Sequence, residues 1–142
     1  MRRLLTGFLS AGLLVTASAY AADAAGPPAG SAALLAKMPA AFRAPGARHY
    51  CGQYPNNGEA FAISITGGAT PQADYVSATY VATPGPVETG GNMVTWKSWD
   101  PHGVTFHYAF DPPAAGHPSH FKEEVTGANN AVYETDQVQS AP

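Results

Sequence analysis

The sequence predicts a mainly β protein: one antiparallel β domain, a sandwich or small barrel of about seven strands, with one short N-terminal helix. Three observations predict it. Apolar and polar residues alternate with a period of two in several segments after residue 48, and turns rich in Gly, Pro and Asn separate these segments. The length of 142 residues is that of a single domain.

The first 21 residues have the layout of a secretory signal peptide. Arg2 and Arg3 give a basic start, an apolar stretch follows, and residues 19–21 read Ala-Tyr-Ala, a small-x-small cleavage site. The apolar stretch is shorter than the ~20 residues that span a bilayer. We therefore expect a secreted or periplasmic protein with no membrane insertion after cleavage of residues 1–21. Cleavage after Ala24 and an uncleaved membrane anchor are the alternatives.

Residues 22–30 consist of Ala, Gly and Pro with one Asp, which predicts a flexible linker before a domain at 31–142. Ser31 is a candidate N-cap for a short helix. Pro39 is expected to end or kink that helix. Three apolar residues spaced four apart define its buried face: Leu34, Met38 and Phe42.

Most of the remaining chain is predicted to form strands, and the clearest hairpin surrounds residues 100–103, Asp-Pro-His-Gly. Its second arm places four apolar residues on one face, so we expect this hairpin at the centre of the core. The polar tail from Gln137 to Pro142 is expected to fray. The predicted strands are 48–54, 59–66, 74–81, 93–99, 104–110, 120–126 and 130–137.

Composition excludes several classes of protein. Seven basic residues and a formal charge of −3 argue against a nucleic-acid partner, which needs a surface that neutralises phosphates. A chain with 12% charged and 11% aromatic residues is not wholly disordered. Cys51 is the single cysteine, so no disulfide framework forms. We expect its thiol to be buried and inert; an intermolecular disulfide and a reactive thiol are the alternatives.

Histidines are frequent late in the chain and have acidic residues near them. Neutral imidazole and carboxylate together bind divalent transition metals. The spacing matches neither a His-x-His pair on a strand nor the helical His-Glu-x-x-His pattern, so a site needs convergence from different strands. Ordinary surface histidines are the alternative. The predicted ligands of a divalent metal cofactor are His102, His107, His117 and His120.

Aromatic residues outside the predicted core face can form a platform for a sugar ring or an apolar ligand. Trp99 is the best candidate, because it shares a strand face with Lys97 beside the 100–103 turn. Tyr75 is a further candidate ligand-binding residue. The alternative is that Trp99 covers the edge of the core.

No convincing catalytic set is present, and the sequence does not decide whether the protein is an enzyme. A Gly-x-Ser-x-Gly elbow is absent, and the adjacent Glu123 and Glu124 point to opposite faces of a strand. The leading hypothesis is an exported, non-catalytic domain that binds a small molecule, a glycan or a protein. One alternative is a metal-binding or metal-dependent protein. The other is an envelope structural or assembly protein that uses Cys51 or a sheet edge.

Overall fold

The computed structural model describes residues 26–127 and 129–142, and it contains two antiparallel five-stranded sheets. This confirms the predicted mainly β, antiparallel domain, and its sheets form a sandwich and no closed barrel. The predicted signal peptide at 1–21 lies outside the described residues. Within the described part of the chain, neither helix has the length and apolar character needed to cross a membrane.

Two short helices precede the strands, α1 (Ser31–Ala36) and α2 (Ala40–Arg43). Pro39 stands immediately before α2, so the helix breaks where the sequence predicts. The predicted cap is wrong: the N-cap of α1 is Gly30, with a φ of 89° and no side-chain cap. The Ser31 hydroxyl instead donates a hydrogen bond of 2.6 Å to the Pro28 carbonyl, because Ser31 is already the first helical residue.

The first sheet has the strand order β10-β1-β2-β3-β4 and the second has the order β5-β6-β7-β8-β9. The strands therefore follow one another around the sandwich in chain order, and the last lies beside the first. In chain order the strands are β1 (Arg48–Gln53), β2 (Ala60–Ile65), β3 (Gln72–Ser77), β4 (Gly85–Pro86), β5 (Glu88–Gly90), β6 (Met93–Trp99), β7 (Thr105–Asp111), β8 (His120–Thr126), β9 (Ala131–Thr135) and β10 (Val138–Ala141).

The C-terminal tail is ordered, which corrects the predicted fraying after Gln137. Strand β10 pairs with β1 from His49 opposite Ala141 to Gly52 opposite Val138. Val138 is buried, and its carbonyl accepts a hydrogen bond of 2.8 Å from the Ser119 hydroxyl. Backbone pairing on one side and this anchor hold a segment whose polar composition alone predicts a free end.

The space between the sheets is filled by aromatic rings, with Phe121 in their midst. Alternation in β7 and β8 turns Phe106, Tyr108, Phe110 and Phe121 inward, which confirms the 93–110 hairpin as part of the core. Six rings lie with centroids 4.9–6.4 Å from that of Phe121: those of Tyr54, Phe61, Tyr75, Trp96, Tyr108 and Phe110.

The outer faces of the two sheets differ. The helices cover the first sheet, where Leu34, Met38 and Phe42 pack against strand residues such as Val76. No helix among the described residues covers the second sheet.

Asp74 lies on the helix-covered face and is fully buried. Its Oδ1 accepts a hydrogen bond from its neighbour's backbone N–H, and burial raises the pKa of the carboxyl to about 6.

Replacing Phe121 by Ala is expected to destabilise the fold by about 3–5 kcal/mol, because the central ring is lost and its space cannot collapse fully. Urea denaturation of the wild type and the variant measures the change. Val132 is 57% exposed on the second sheet, so Val132→Ala is the control and should stay within about 0.5 kcal/mol of the wild type. Similar losses for both variants would contradict the central place of Phe121.

The raised pKa of Asp74 predicts a pH-dependent stability. Between about pH 4, the pKa in the unfolded chain, and about pH 6, the folded state binds more protons than the unfolded state. The free energy of unfolding should therefore fall as the pH rises through this window. Asp74→Asn should remove this part of the fall, seen as a pH-dependent difference from the wild type in urea denaturation. Glu134→Gln, at an exposed position, should show no such difference.

Candidate functional site

The open outer face of the second sheet carries polar residues in cross-strand rows. On β6 the residues of this face are Thr95, Lys97 and Trp99, because they alternate with the buried Val94, Trp96 and Ser98. The register places Lys97 beside His107 of β7, and His107 beside Glu124 of β8. One row across three strands therefore presents an ammonium, an imidazole and a carboxylate side by side.

A groove of about 440 Å³ runs over this face. Pro86 and Glu88, from β4 and β5, form part of its lining, and Trp99 lines it as well. Ala109 lies between Thr95 and Lys122 in the next row, and its small side chain leaves space there. The groove thus combines apolar surface with polar groups from three strands.

Trp99 is 58% exposed and stands at the end of β6. The following turn is well fixed, because Asp100 Oδ1 accepts hydrogen bonds from the backbone N–H groups of His102 and Val104 at 2.9 and 3.0 Å. Gly103 closes the turn with a φ of 84°, a conformation that favours glycine. The exposure of Trp99 gives no support to the alternative that its ring covers the core edge.

Charges in the groove are partly paired. Lys122 and Glu124 form an ion pair, and the hydrogen bond and positive charge of Lys122 lower the pKa of the Glu124 carboxyl. Lys97 belongs to none of the ion pairs found among residues 26–127 and 129–142. Its ammonium group is therefore available to a ligand in the groove.

Tyr75 lies apart from Trp99 and Lys97. It is 1% exposed, faces the space between the sheets, and lines a second cavity of about 360 Å³. The structure therefore brings together two of the three predicted ligand-binding residues and places the third in a different cavity. We call the first cavity the outer groove and the second, which is lined by residues of both sheets, the inner cleft.

The inner cleft contains a buried carboxyl group, that of Glu123, which is not among the site residues predicted from the sequence. Glu123 is 6% exposed, and its Oε2 accepts a hydrogen bond of 2.7 Å from the Tyr54 hydroxyl. The Tyr54 and Tyr75 hydroxyl oxygens are 3.1 Å apart. Burial raises the pKa of the Glu123 carboxyl. The alternation of side chains along β8 indicates this position, because Glu123 is two residues from the buried Phe121 and therefore faces the core as well.

The four predicted metal ligands do not converge. His117 contacts Asp111 at 2.7 Å, and His120 contacts Asp136 at 2.6 Å. His107 lines the outer groove, and His102 is exposed in the 100–103 turn. Among the residues that the structure describes, no three His, Cys, Asp or Glu side chains are grouped so that they could hold a metal ion. The metal hypothesis gains no support from this geometry.

Cys51 is fully buried beneath the helices, as the sequence predicts. Burial raises the pKa of its thiol, although a hydrogen bond with Ser31 opposes the shift. The thiolate, which is the reactive form, is therefore disfavoured. A disulfide to another chain would require the helices to move away from the sheet.

An aromatic disulfide reagent is therefore not expected to modify Cys51 in the native protein. After unfolding in urea, one equivalent of thiol per chain should react. Absorbance of the released thiolate measures both reactions. Cys51→Ser should migrate like the wild type on a non-reducing gel. Rapid labelling of the native protein, or a dimer band that the variant lacks, would contradict a buried and inert thiol.

No protein-family model, no curated protein and no solved structure matches the chain. The most distinctive residues of the two cavities are the exposed Trp99 of the outer groove and the buried Glu123 of the inner cleft.

Proposed function

We propose that this protein is an exported, non-catalytic binding protein whose outer groove holds a saccharide. The observation that carries the proposal is the exposure of Trp99, 58% of whose surface is open to solvent at the groove. Export is the expectation from the N-terminal sequence and is part of the proposal.

The position of Trp99 supports a ligand because, in the part of the chain that the structure describes, no other aromatic side chain is classed as exposed. Trp96, three residues earlier on the same strand, is 3% exposed and packs in the core. An aromatic ring contributes on the order of 150–250 Å² of surface when it is buried. An exposed ring beside a concave surface can bury this area when a ligand covers it, and the burial favours binding.

The neighbours of Trp99 suit a sugar. A sugar ring offers an apolar face of C–H groups, which stacks on an aromatic ring, and a rim of hydroxyl groups that donate and accept hydrogen bonds. In the outer groove, Lys97 supplies donors, Glu124 supplies acceptors, and His107 lies between them in one row. The apolar face and the polar rim therefore both find partners.

Glu124, one of the two carboxylates that line the groove, is suited to accept hydrogen bonds and not to act as a general acid. A general acid in glycoside hydrolysis needs a raised pKa, so that the carboxyl is protonated when the sugar binds. The ion pair with Lys122 lowers the pKa of Glu124 instead. Glu124 therefore accepts hydrogen bonds at neutral pH and does not deliver a proton.

The two alternatives from the sequence receive less support. A metal-dependent protein requires ligands that converge, but His117 and His120 pair with different aspartates, and no group of three metal-binding side chains forms among the described residues. Assembly through a Cys51 disulfide requires an accessible thiol, and that thiol is buried. Assembly through a sheet edge stays a prediction, for which analytical ultracentrifugation of the exported form is the direct measurement.

Trp99→Ala is expected to abolish saccharide binding or weaken it at least tenfold, about 1.4 kcal/mol, because the stacking surface is lost. Trp96 and Trp99 are the only tryptophans in the chain. Because Trp96 is buried, acrylamide quenches mainly the fluorescence of Trp99, and a bound sugar should protect Trp99 from the quencher. A panel of soluble oligosaccharides is titrated while quenching is recorded, and isothermal calorimetry gives the affinity of both proteins.

Trp99→Phe keeps an aromatic ring at the same place and should retain most of the affinity. Val132→Ala removes an exposed apolar side chain from β9 of the same sheet and should leave binding unchanged. The proposal fails if none of the oligosaccharides protects Trp99, or if Trp99→Ala binds as well as the wild type.

A further inference from the structure

The inner cleft lies at the end of the sandwich, and residues of both sheets line it. Tyr54 and Tyr75 come from the first sheet and its connecting turn, and Phe106 and Glu123 come from the second sheet. Thr79 and Asn129 also line the cleft and are exposed, so its mouth reaches the protein surface. A small molecule can enter the cleft without separation of the two sheets.

The cleft is acidic, and no basic side chain among its described lining residues balances its carboxyl groups. Glu59 and Glu123 line it, and the described lining residues include no Lys, Arg or His. Neither carboxylate belongs to an ion pair within the described part of the chain. Glu123 is 6% exposed, and its pKa is raised because ionisation of a buried carboxyl without a counterion is energetically unfavourable. A bound cation would relieve this cost.

Glu59 is held in its ionised form at the same cleft. Partial burial raises the pKa of its carboxyl, but hydrogen bonds outweigh this effect and lower the pKa overall. Its Oε1 accepts hydrogen bonds from the hydroxyl groups of Ser77 and Thr79 and from the Thr79 backbone N–H. The ionised Glu59 thereby adds to the negative potential that Glu123 experiences.

Aromatic rings form the walls around these carboxylates. Tyr54 packs against Tyr133 with ring centroids 5.5 Å apart, and Tyr80 stacks on Phe106 at 4.4 Å. The electron-rich faces of tyrosine rings attract cations, and an organic ammonium ion also gains from contact between its carbon atoms and the rings. A bare metal ion would use little of this wall, which favours an organic cation.

We infer that the inner cleft is a second binding site, separate from the outer groove, and that it takes a small organic ammonium ion held by Glu123 and Glu59 between tyrosine rings. The site is independent of the proposed saccharide groove, because the two cavities share no lining residue. A quaternary ammonium uses the charge and the rings alone, and a primary ammonium can also donate hydrogen bonds to the carboxylates.

The experiment is isothermal calorimetry of the exported form of the protein, residues 22–142, with tetramethylammonium and with butylammonium. Their neutral counterparts, tert-butanol and butanol, test whether the positive charge is needed. We expect at least one cation to bind in the millimolar range or tighter, and both alcohols to bind at least tenfold more weakly. Binding of a cation without displacement of saccharide from the outer groove would show that the two sites are separate.

Glu123→Gln and Glu124→Gln form a matched pair of variants, because both remove one negative charge from neighbouring positions of β8. Glu123 faces the cleft and Glu124 faces the outer groove. Glu123→Gln should weaken cation binding at least tenfold, and Glu124→Gln should change it less than twofold. Glutamine keeps an oxygen that can accept the Tyr54 hydrogen bond, and circular dichroism verifies that the variant folds.

Glu59→Gln lies nearer the surface and serves if Glu123→Gln does not fold; it too should weaken cation binding severalfold. The inference is overturned if neither cation binds, if the alcohols bind as well as the cations, or if the cleft variants bind like Glu124→Gln. A negative result here leaves the Trp99 test of the outer groove unaffected.

Discussion

The packing of aromatic rings between the two sheets is the constraint on which the other features depend. Phe121 is fully buried, and rings from both sheets surround it. Because side chains alternate along a strand, each residue that turns a ring inward makes its neighbour turn outward. The core therefore determines which positions of each strand face outward. Lys122 and Glu124 face outward because Phe121 and Glu123 face inward.

One outer face of the sandwich is covered by helices and the other is open, and the outer groove lies on the open face. The first sheet is covered by α1 and α2, which bury Cys51 and Val76. The second sheet is left open, and its outward residues form a polar surface with one large ring. At one end of the sandwich the apolar core gives way to polar groups, where the Tyr54 hydroxyl contacts Tyr75 and Glu123. Two cavities with different chemistry thus result from one arrangement of sheets.

Features that depend on nearby residues could be predicted from the sequence. The 93–110 hairpin could be predicted because the alternation of apolar and polar residues agrees with the turn at 100–103. The helix break could be predicted because Pro39 cannot continue a helix. Strand β10 could not be predicted, because its partner β1 is distant in the sequence and the residues of β10 are largely polar. The separation of Tyr75 from Trp99 depends on how the sheets face each other, which no local pattern contains.

Strand order following chain order has a consequence for how the fold is assembled. Every hydrogen-bonded pair of described strands joins neighbours in sequence, with the single exception of β1 and β10. A nascent polypeptide can therefore form most of its ladders as each hairpin is synthesised, since the loops that must close are short. The closing ladder has to wait for the last residues. Until then β1 presents an unsatisfied edge, which is the vulnerable stage for misassembly between chains.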